Sequence, residues 1–266
     1  MLEHGVINED GEWRPKIEQS EEVYAVVKTI VRPALDFMTK GKFLVVDNRD
    51  GDEHENGVLV PTHRSNIDPV SIGLAADEVD IPIVGFLAKD SLSHPMGSRL
   101  SGDASGLLRR VAMGVDYVPS HFFQKIAGFP VHRADPNYEE INSWTEYLLA
   151  NGIDVTNFGE GTRNRRDPNT NKELGKGAAQ AALRSWKPLY AVGNVGTNEI
   201  SMNRRSNAVV VHFENPLMPS DYMDEADRHD EAAVARAAEW MTYDLTPVLQ
   251  ASYDAARDDR DFILAA

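Results

Sequence analysis

Apolar residues along the chain fall into two kinds of run that alternate with each other. Short runs rich in valine, isoleucine and leucine occupy residues 43–46, 57–61, 82–87, 128–131, 153–158, 189–195 and 208–213. Several are continuous, the pattern of strands covered on both faces. Between them, apolar residues recur at helical spacing over 67–76, 138–150, 176–186 and 231–256. This alternation predicts an α/β fold, a central mixed sheet of about seven strands covered by helices on both faces. An N-terminal helical arm precedes it, because Val23, Val27, Ile30, Val31 and Leu35 share one helical face. Pro33 is expected to bend that helix, and Thr246-Pro247 predicts a kink or break in the last one.

The organisation read from this pattern is an acidic segment with an amphipathic helix over 1–40, then one domain over 41–266. An irregular insertion stands out near 93–116, with Gly97, Gly102, Gly106 and Gly114 among Arg99, Arg109 and Arg110. Such a stretch is usually functional or mobile. Composition narrows the function classes. The 42% apolar content supports a sizeable core. The chain has no cysteine, which excludes a disulfide framework, a thiolate zinc site and a cysteine nucleophile. With 27 Lys+Arg against 42 Asp+Glu, the net charge of −15 argues against nucleic acid as a partner. The N-terminus lacks the basic and apolar regions of a signal peptide. No apolar run reaches the roughly 18 residues of a spanning helix. The expectation is a soluble or peripheral protein in the cytoplasm.

In open α/β sheets ligands bind beyond the carboxyl ends of the strands, so the residues that follow each strand carry the candidate chemistry. His63 follows the run 57–61, and Asp68-Pro69 opens the next helix five residues later. A carboxylate on one ring nitrogen fixes the tautomer and leaves the other nitrogen basic, which is a general-base pair. Asp68 also reads as an ordinary N-cap with proline at the first helical position. Glu160 and Arg163 lie on a glycine-flexed turn after the run 153–158, and Arg163 offers a planar fork for phosphate. The same two residues read equally as a surface ion pair. His132-Arg133 follows 128–131, with Arg133 either a second phosphate ligand or a surface arginine. Arg163, Arg165, Arg166, Lys172 and Lys176 form a basic island with only Asp167 and Glu173 opposing them. Lys176 also opens a helix, whose N-terminus favours anions. Together these positions suggest an anionic substrate with a hydroxyl to be deprotonated.

These blocks resemble the glycerophospholipid acyltransferases. His63 to Asp68 resembles the family's His-x4-Asp block, and Phe158-Gly159-Glu160-Gly161-Thr162-Arg163 resembles its Phe-Pro-Glu-Gly-Thr-Arg block. Gly128-Phe129-Pro130-Val131-His132-Arg133 resembles the block between them, which ends in a phosphate-binding arginine. Lys176-Gly177 and Pro188-Leu189-Tyr190-Ala191-Val192 resemble the downstream blocks. The order and spacing are most similar to the 1-acylglycerol-3-phosphate acyltransferases. That resemblance implies direct transfer from acyl-CoA or acyl carrier protein to lysophosphatidic acid, with no metal, no cofactor and no covalent intermediate. It implies His63 as the base and Asp68 as its holder. It implies Arg133 and Arg163 on the glycerol phosphate, Glu160 positioning the acceptor, and Gly161, Thr162 and Lys176 in the same substrate-binding set. The partners implied are a lysophospholipid, an acyl thioester and a membrane surface. The helix over 23–38 and the insertion at 93–116 are the expected membrane-facing edge. Gly159 and Ala191 stand where the family has proline, His132 stands where it has aspartate or an apolar residue, and the insertion is extra. These departures keep two alternatives open. One is a different acceptor such as glycerol-3-phosphate or another lysophospholipid. The other is a non-catalytic protein that binds anionic lipid.

Overall fold

The computed structural model describes residues 5–7, 13–15, 29, 32–33, 35–37, 39–50, 54–65, 67–81, 85–89, 128–131, 138–161, 170–200 and 208–265. The insertion near 93–116 lies outside these residues, as does most of the apolar face expected over 23–38.

Two short strands, β1 (Gly5–Ile7) and β2 (Trp13–Pro15), pair antiparallel near the N-terminus. Helical residues among 29–39 then lead into β3 (Phe43–Asp47). There follow β4 (Val58–Pro61), α1 (Asp68–Glu78), β5 (Gly85–Lys89) and β6 (Gly128–Val131). The chain continues through α2 (Tyr138–Ala150), β7 (Val155–Thr156) and α3 (Gly177–Ser185). It ends with β8 (Leu189–Val195), β9 (Val209–Phe213) and α4 (Glu231–Ala265).

Seven strands form one sheet in the order β3-β9-β8-β4-β7-β5-β6. The five from β8 to β6 are mutually parallel, and β3 and β9 run against them because β8 and β9 pair antiparallel. The sheet is therefore mixed and helices cover both faces, as the alternating runs predict. Side chains alternate across it. Val58, Val60, Leu189 and Ala191 pack under α2, α3 and α4. Leu59, Tyr190, Val192 and Val211 pack against α1 and Leu35 on the other face. Leu59 is fully buried, and cutting a side chain of this kind to alanine costs about 2–5 kcal/mol.

Helix α4 departs from expectation. It runs unbroken through Pro247 for 35 residues. Met241, Leu245 and Leu249 are buried on either side of the proline, whereas Pro247 and Tyr243 face solvent. The carbonyl that loses its partner thus lies on the water side, where hydration replaces the missing bond while core packing keeps the helix continuous. Gly193 lets this helix lie directly on β8, since a Cβ there would sit 2.4 Å from the Ser252 carbonyl oxygen. Strand β7 is also shorter than its apolar run suggests, ending at Thr156. The residues after it turn out of the sheet toward the site.

Candidate active site

Because β4, β7 and β8 are parallel, the segments that follow them meet at one edge of the sheet. His63 lies two residues past β4, and its Nδ1 is 2.9 Å from Asp68 Oδ2. The Asp68 carboxylate is fully buried at the first position of α1. It does not cap that helix. Its Oδ2 accepts from the backbone N–H groups of Arg64 (2.6 Å) and Ser65 (2.7 Å), so it folds the turn back onto itself. Its Oδ1 accepts from Asn194 Nδ2 (3.1 Å) and the Thr197 hydroxyl (2.5 Å). Every partner is a donor, which is the complement of an acceptor-only carboxylate. The imidazole Nδ1 is then the protonated nitrogen, and Nε2 carries the lone pair.

Among the described residues His63 Nε2 has no hydrogen-bond partner, and the side chain keeps 13% of its exposure. The Phe158 ring lies against the imidazole at 4.3 Å between centroids. One face is thus covered by an apolar ring while the basic nitrogen stays open. This arrangement can take a proton from a group brought to the strand-end crevice.

Glu160 sits behind His63. Its fully buried carboxylate pairs with Arg64 Nη1 at 2.9 and 3.0 Å. It also accepts from the backbone N–H groups of His63 (3.1 Å) and Lys172 (3.2 Å). Its lone pairs are therefore engaged within the protein. Arg64 continues outward to the Thr170 carbonyl (3.1 Å) and Asn171 Oδ1 (2.7 Å), and lies over the Tyr253 ring of α4 at 4.8 Å. Glu160 and Arg64 bolt the β4 turn to the β7 turn and to α4. Breaking a buried pair of this kind by removing one partner costs about 3–5 kcal/mol.

Gly161 closes the β7 turn, its N–H donating to the Phe158 carbonyl at 2.8 Å. Lys176 precedes α3 and points away along the surface, its Nζ 2.5 Å from Glu239 of α4. That ion pair holds the Glu239 carboxyl below its usual range. Arg133, Thr162 and Arg163 lie outside the described residues, as do His132, Arg165 and Arg166. Among the described residues no group of three or more His, Cys, Asp or Glu side chains could hold a metal ion.

No protein-family model matches this chain, and no curated protein matches it. Among solved structures, the 1-acyl-sn-glycerophosphate (LPA) acyltransferase PlsC from Thermotoga maritima is similar at 17% identity and a TM-score of 0.47. That match covers 86% of this chain and 83% of that one.

Three residues of the site escaped the sequence reading: Arg64, Asn194 and Thr197. Arg64 stands beside His63, but nothing in its spacing points to Glu160, 96 positions on. Asn194 carried a signal, being a polar residue inside the otherwise apolar run 189–195. Thr197 follows a strand end, the kind of place where the other candidates were sought.

Proposed function

We propose that this protein is an acyltransferase that moves a fatty acyl group from acyl-CoA or acyl carrier protein to the free hydroxyl of lysophosphatidic acid, giving phosphatidic acid. The observation that carries the reading is the His63–Asp68 pair, bonded through Nδ1 at 2.9 Å with Nε2 open at the strand-end crevice. The ordered blocks from His63 to Val192 support it independently.

In this reading His63 Nε2 takes the proton from the acceptor hydroxyl as its oxygen attacks the thioester carbonyl carbon. A new C–O bond forms, the C–S bond breaks, and the imidazolium returns the proton to the leaving thiolate. Free thiol and the acylated lipid are the products. Asp68 holds the ring in the productive tautomer throughout. No side-chain nucleophile is required, in keeping with a chain that lacks cysteine. Arg133 and Arg163 bind the glycerol phosphate, with Gly161 and Thr162 in the same substrate-binding set; Lys176, paired with Glu239, drops out of that set. Glu160 acts from inside, holding the His63 backbone and Arg64 rather than reaching the lipid itself.

The lipid is met at a membrane surface from the water side, through the segment 23–38 and the insertion at 93–116. Among the described residues no helix is long and apolar enough to cross a membrane.

The test is thiol release from oleoyl-CoA by the purified full chain against a panel of acceptors: lysophosphatidic acid, glycerol-3-phosphate and other lysophospholipids. Lysophosphatidic acid is expected to be the best acceptor, and His63→Ala to be about 10²–10⁴-fold slower. Thiol release with glycerol-3-phosphate alone reassigns the acceptor. Salt-sensitive liposome binding with no thiol release for any acceptor replaces the enzyme with a lipid-binding protein.

A further inference from the structure

Two of the five donors on Asp68 come from its own turn, the N–H groups of Arg64 and Ser65, and a third is His63 itself. These three move with the turn. The other two, Asn194 and Thr197, come from β8 and the segment beyond it, 126 and 129 residues away in sequence. A carboxylate rotates freely about its last torsion unless its oxygens are held. Only the contacts on Oδ1 tie it to something outside the turn.

The β8 end is built to hold still. Asn194 is fully buried, and its backbone is cross-tied to β4 by the Thr62 hydroxyl, which accepts from its N–H and donates to its carbonyl, both at 3.0 Å. Its Nδ2 also donates to Ser71 Oγ of α1 at 3.1 Å. Thr197 is 1% exposed and opens a 3₁₀ turn, Thr197–Glu199. Gly196 before it has φ +95°, and a Cβ there would meet the Ala208 carbonyl oxygen at 2.0 Å, so only glycine fits. Glu199 at the end of the turn is gripped by Arg260 of α4 at 2.5 Å, whose Nε donates to the same Ala208 carbonyl at 3.1 Å. The Thr197 hydroxyl is thus delivered to Asp68 by a turn clamped on both sides. Its 2.5 Å contact is in the range of a charge-assisted O–H to carboxylate bond.

We propose that Thr197 and Asn194 are positioning residues, which fix the Asp68 carboxylate and through it the plane and tautomer of the His63 imidazole. The inference rests on His63 being the base of the reaction above, but its structural part can be read without substrate. Removing the Thr197 hydroxyl takes the shorter of the two bonds from Oδ1 and leaves it to Asn194 alone, which loosens the carboxylate and with it the Nδ1–H bond. The serine variant keeps the hydroxyl and so keeps the bond.

The test uses full-length protein labelled with ¹⁵N-histidine, as wild type, Thr197→Val and Thr197→Ser. The His63 Nδ1–H proton is expected as a slowly exchanging, downfield signal in wild type and in Thr197→Ser. In Thr197→Val its exchange with water is expected to rise about tenfold or more, as a bond to a charged partner is weakened. The same three proteins are assayed for thiol release from oleoyl-CoA with lysophosphatidic acid. In Thr197→Val, kcat is expected to fall about ten- to a hundredfold with KM for the lipid unchanged, and Thr197→Ser to recover it. Unchanged exchange in Thr197→Val overturns the proposal. A changed exchange rate with no thiol release in wild type keeps the positioning role and removes the acyl-transfer reading. If Thr197→Val does not fold, Thr197→Ala, which adds no bulk, carries the same expectations and the same refutation.

Discussion

Strand β4 carries a His–Asp pair at each end, and the two are bonded differently. Before the strand, His54 Nε2 lies 3.0 Å from both oxygens of Asp154, and its Nδ1 lies 2.5 Å from Arg49 Nη1. A guanidinium only donates, so Nδ1 accepts and Nε2–H donates to Asp154. Both ring nitrogens are occupied. Asp154 is fully buried and also takes the Gly57 N–H at 2.8 Å, while Arg49 reaches the Val79 carbonyl at 3.0 Å. After the strand, His63 uses Nδ1 on Asp68 and leaves Nε2 open among the described residues. The same pair of residue types is a closed knot at one end and an open base at the other. Proximity of His to Asp therefore does not by itself mark a working site; what sets His63 apart is an Nε2 left open on a partly exposed ring beyond the end of β4. Burial pushes the nearby Tyr190 hydroxyl up, with Asp154 adding to it, so that phenol too stays a fixed structural donor, to the Glu55 carbonyl at 2.7 Å.

The contrast can be broken in several ways. Arg64→Met leaves the buried Glu160 carboxylate without its partner, and denaturant unfolding is expected to show a loss of about 3–5 kcal/mol. The site end then falls in stability and in thiol release together. Asp154→Ala acts on the closed end. It strands the His54 ring and the Gly57 N–H, and a loss of about 1–3 kcal/mol in the same experiment is expected. Thiol release by the protein that remains folded should persist. ¹⁵N spectra sharpen the distinction without any stability change, because His54 is expected protonated on Nε2 and His63 on Nδ1. Finding one tautomer at both places contradicts the contrast.

The smallest effect is acid-dependent. The Arg49 hydrogen bond holds the Asp47 carboxyl below its ordinary value of 3.8. A depressed carboxyl gives stability that is complete above 3.8 and is lost as pH falls through the lower, folded value. Asp47 is a third exposed, so solvent weakens the contribution. Wild type is expected to lose slightly more stability than Asp47→Asn between about pH 5 and about pH 3, read from urea midpoints. Parallel losses in the two proteins deny the Arg49 end this share.

The sheet and its helices were legible because their signals are local. Val58 to Pro61 and Leu189 to Val195 are apolar on both faces, and the helices between strands carry their periodicity openly. His63 and Asp68 were legible for the same reason, since a single tight turn joins them. Partners distant in sequence were not. Arg64 meets Glu160 from 96 positions away and His54 meets Asp154 from 100, and no spacing rule connects residues brought together by neighbouring strands. Glu160, on a glycine-flexed turn past a strand end, suggested a group facing the acceptor or a surface partner of Arg163, yet the fold gives it Arg64 as an internal cation. Pro247 shows the local rule losing to packing, since α4 continues unbroken across it with core residues buried on either side.

In the proposed reading the two ends of β4 divide the labour, chemistry at His63 and support at His54. The most direct test places His63→Ala beside His54→Gln and measures thiol release from oleoyl-CoA with lysophosphatidic acid together with the urea midpoint. His63→Ala is expected to lose about 10²–10⁴-fold in rate with its midpoint little moved. His54→Gln is expected to keep its rate and lose stability by about 1–3 kcal/mol. Wild-type rates in His63→Ala, or a rate collapse confined to His54→Gln, would contradict the account.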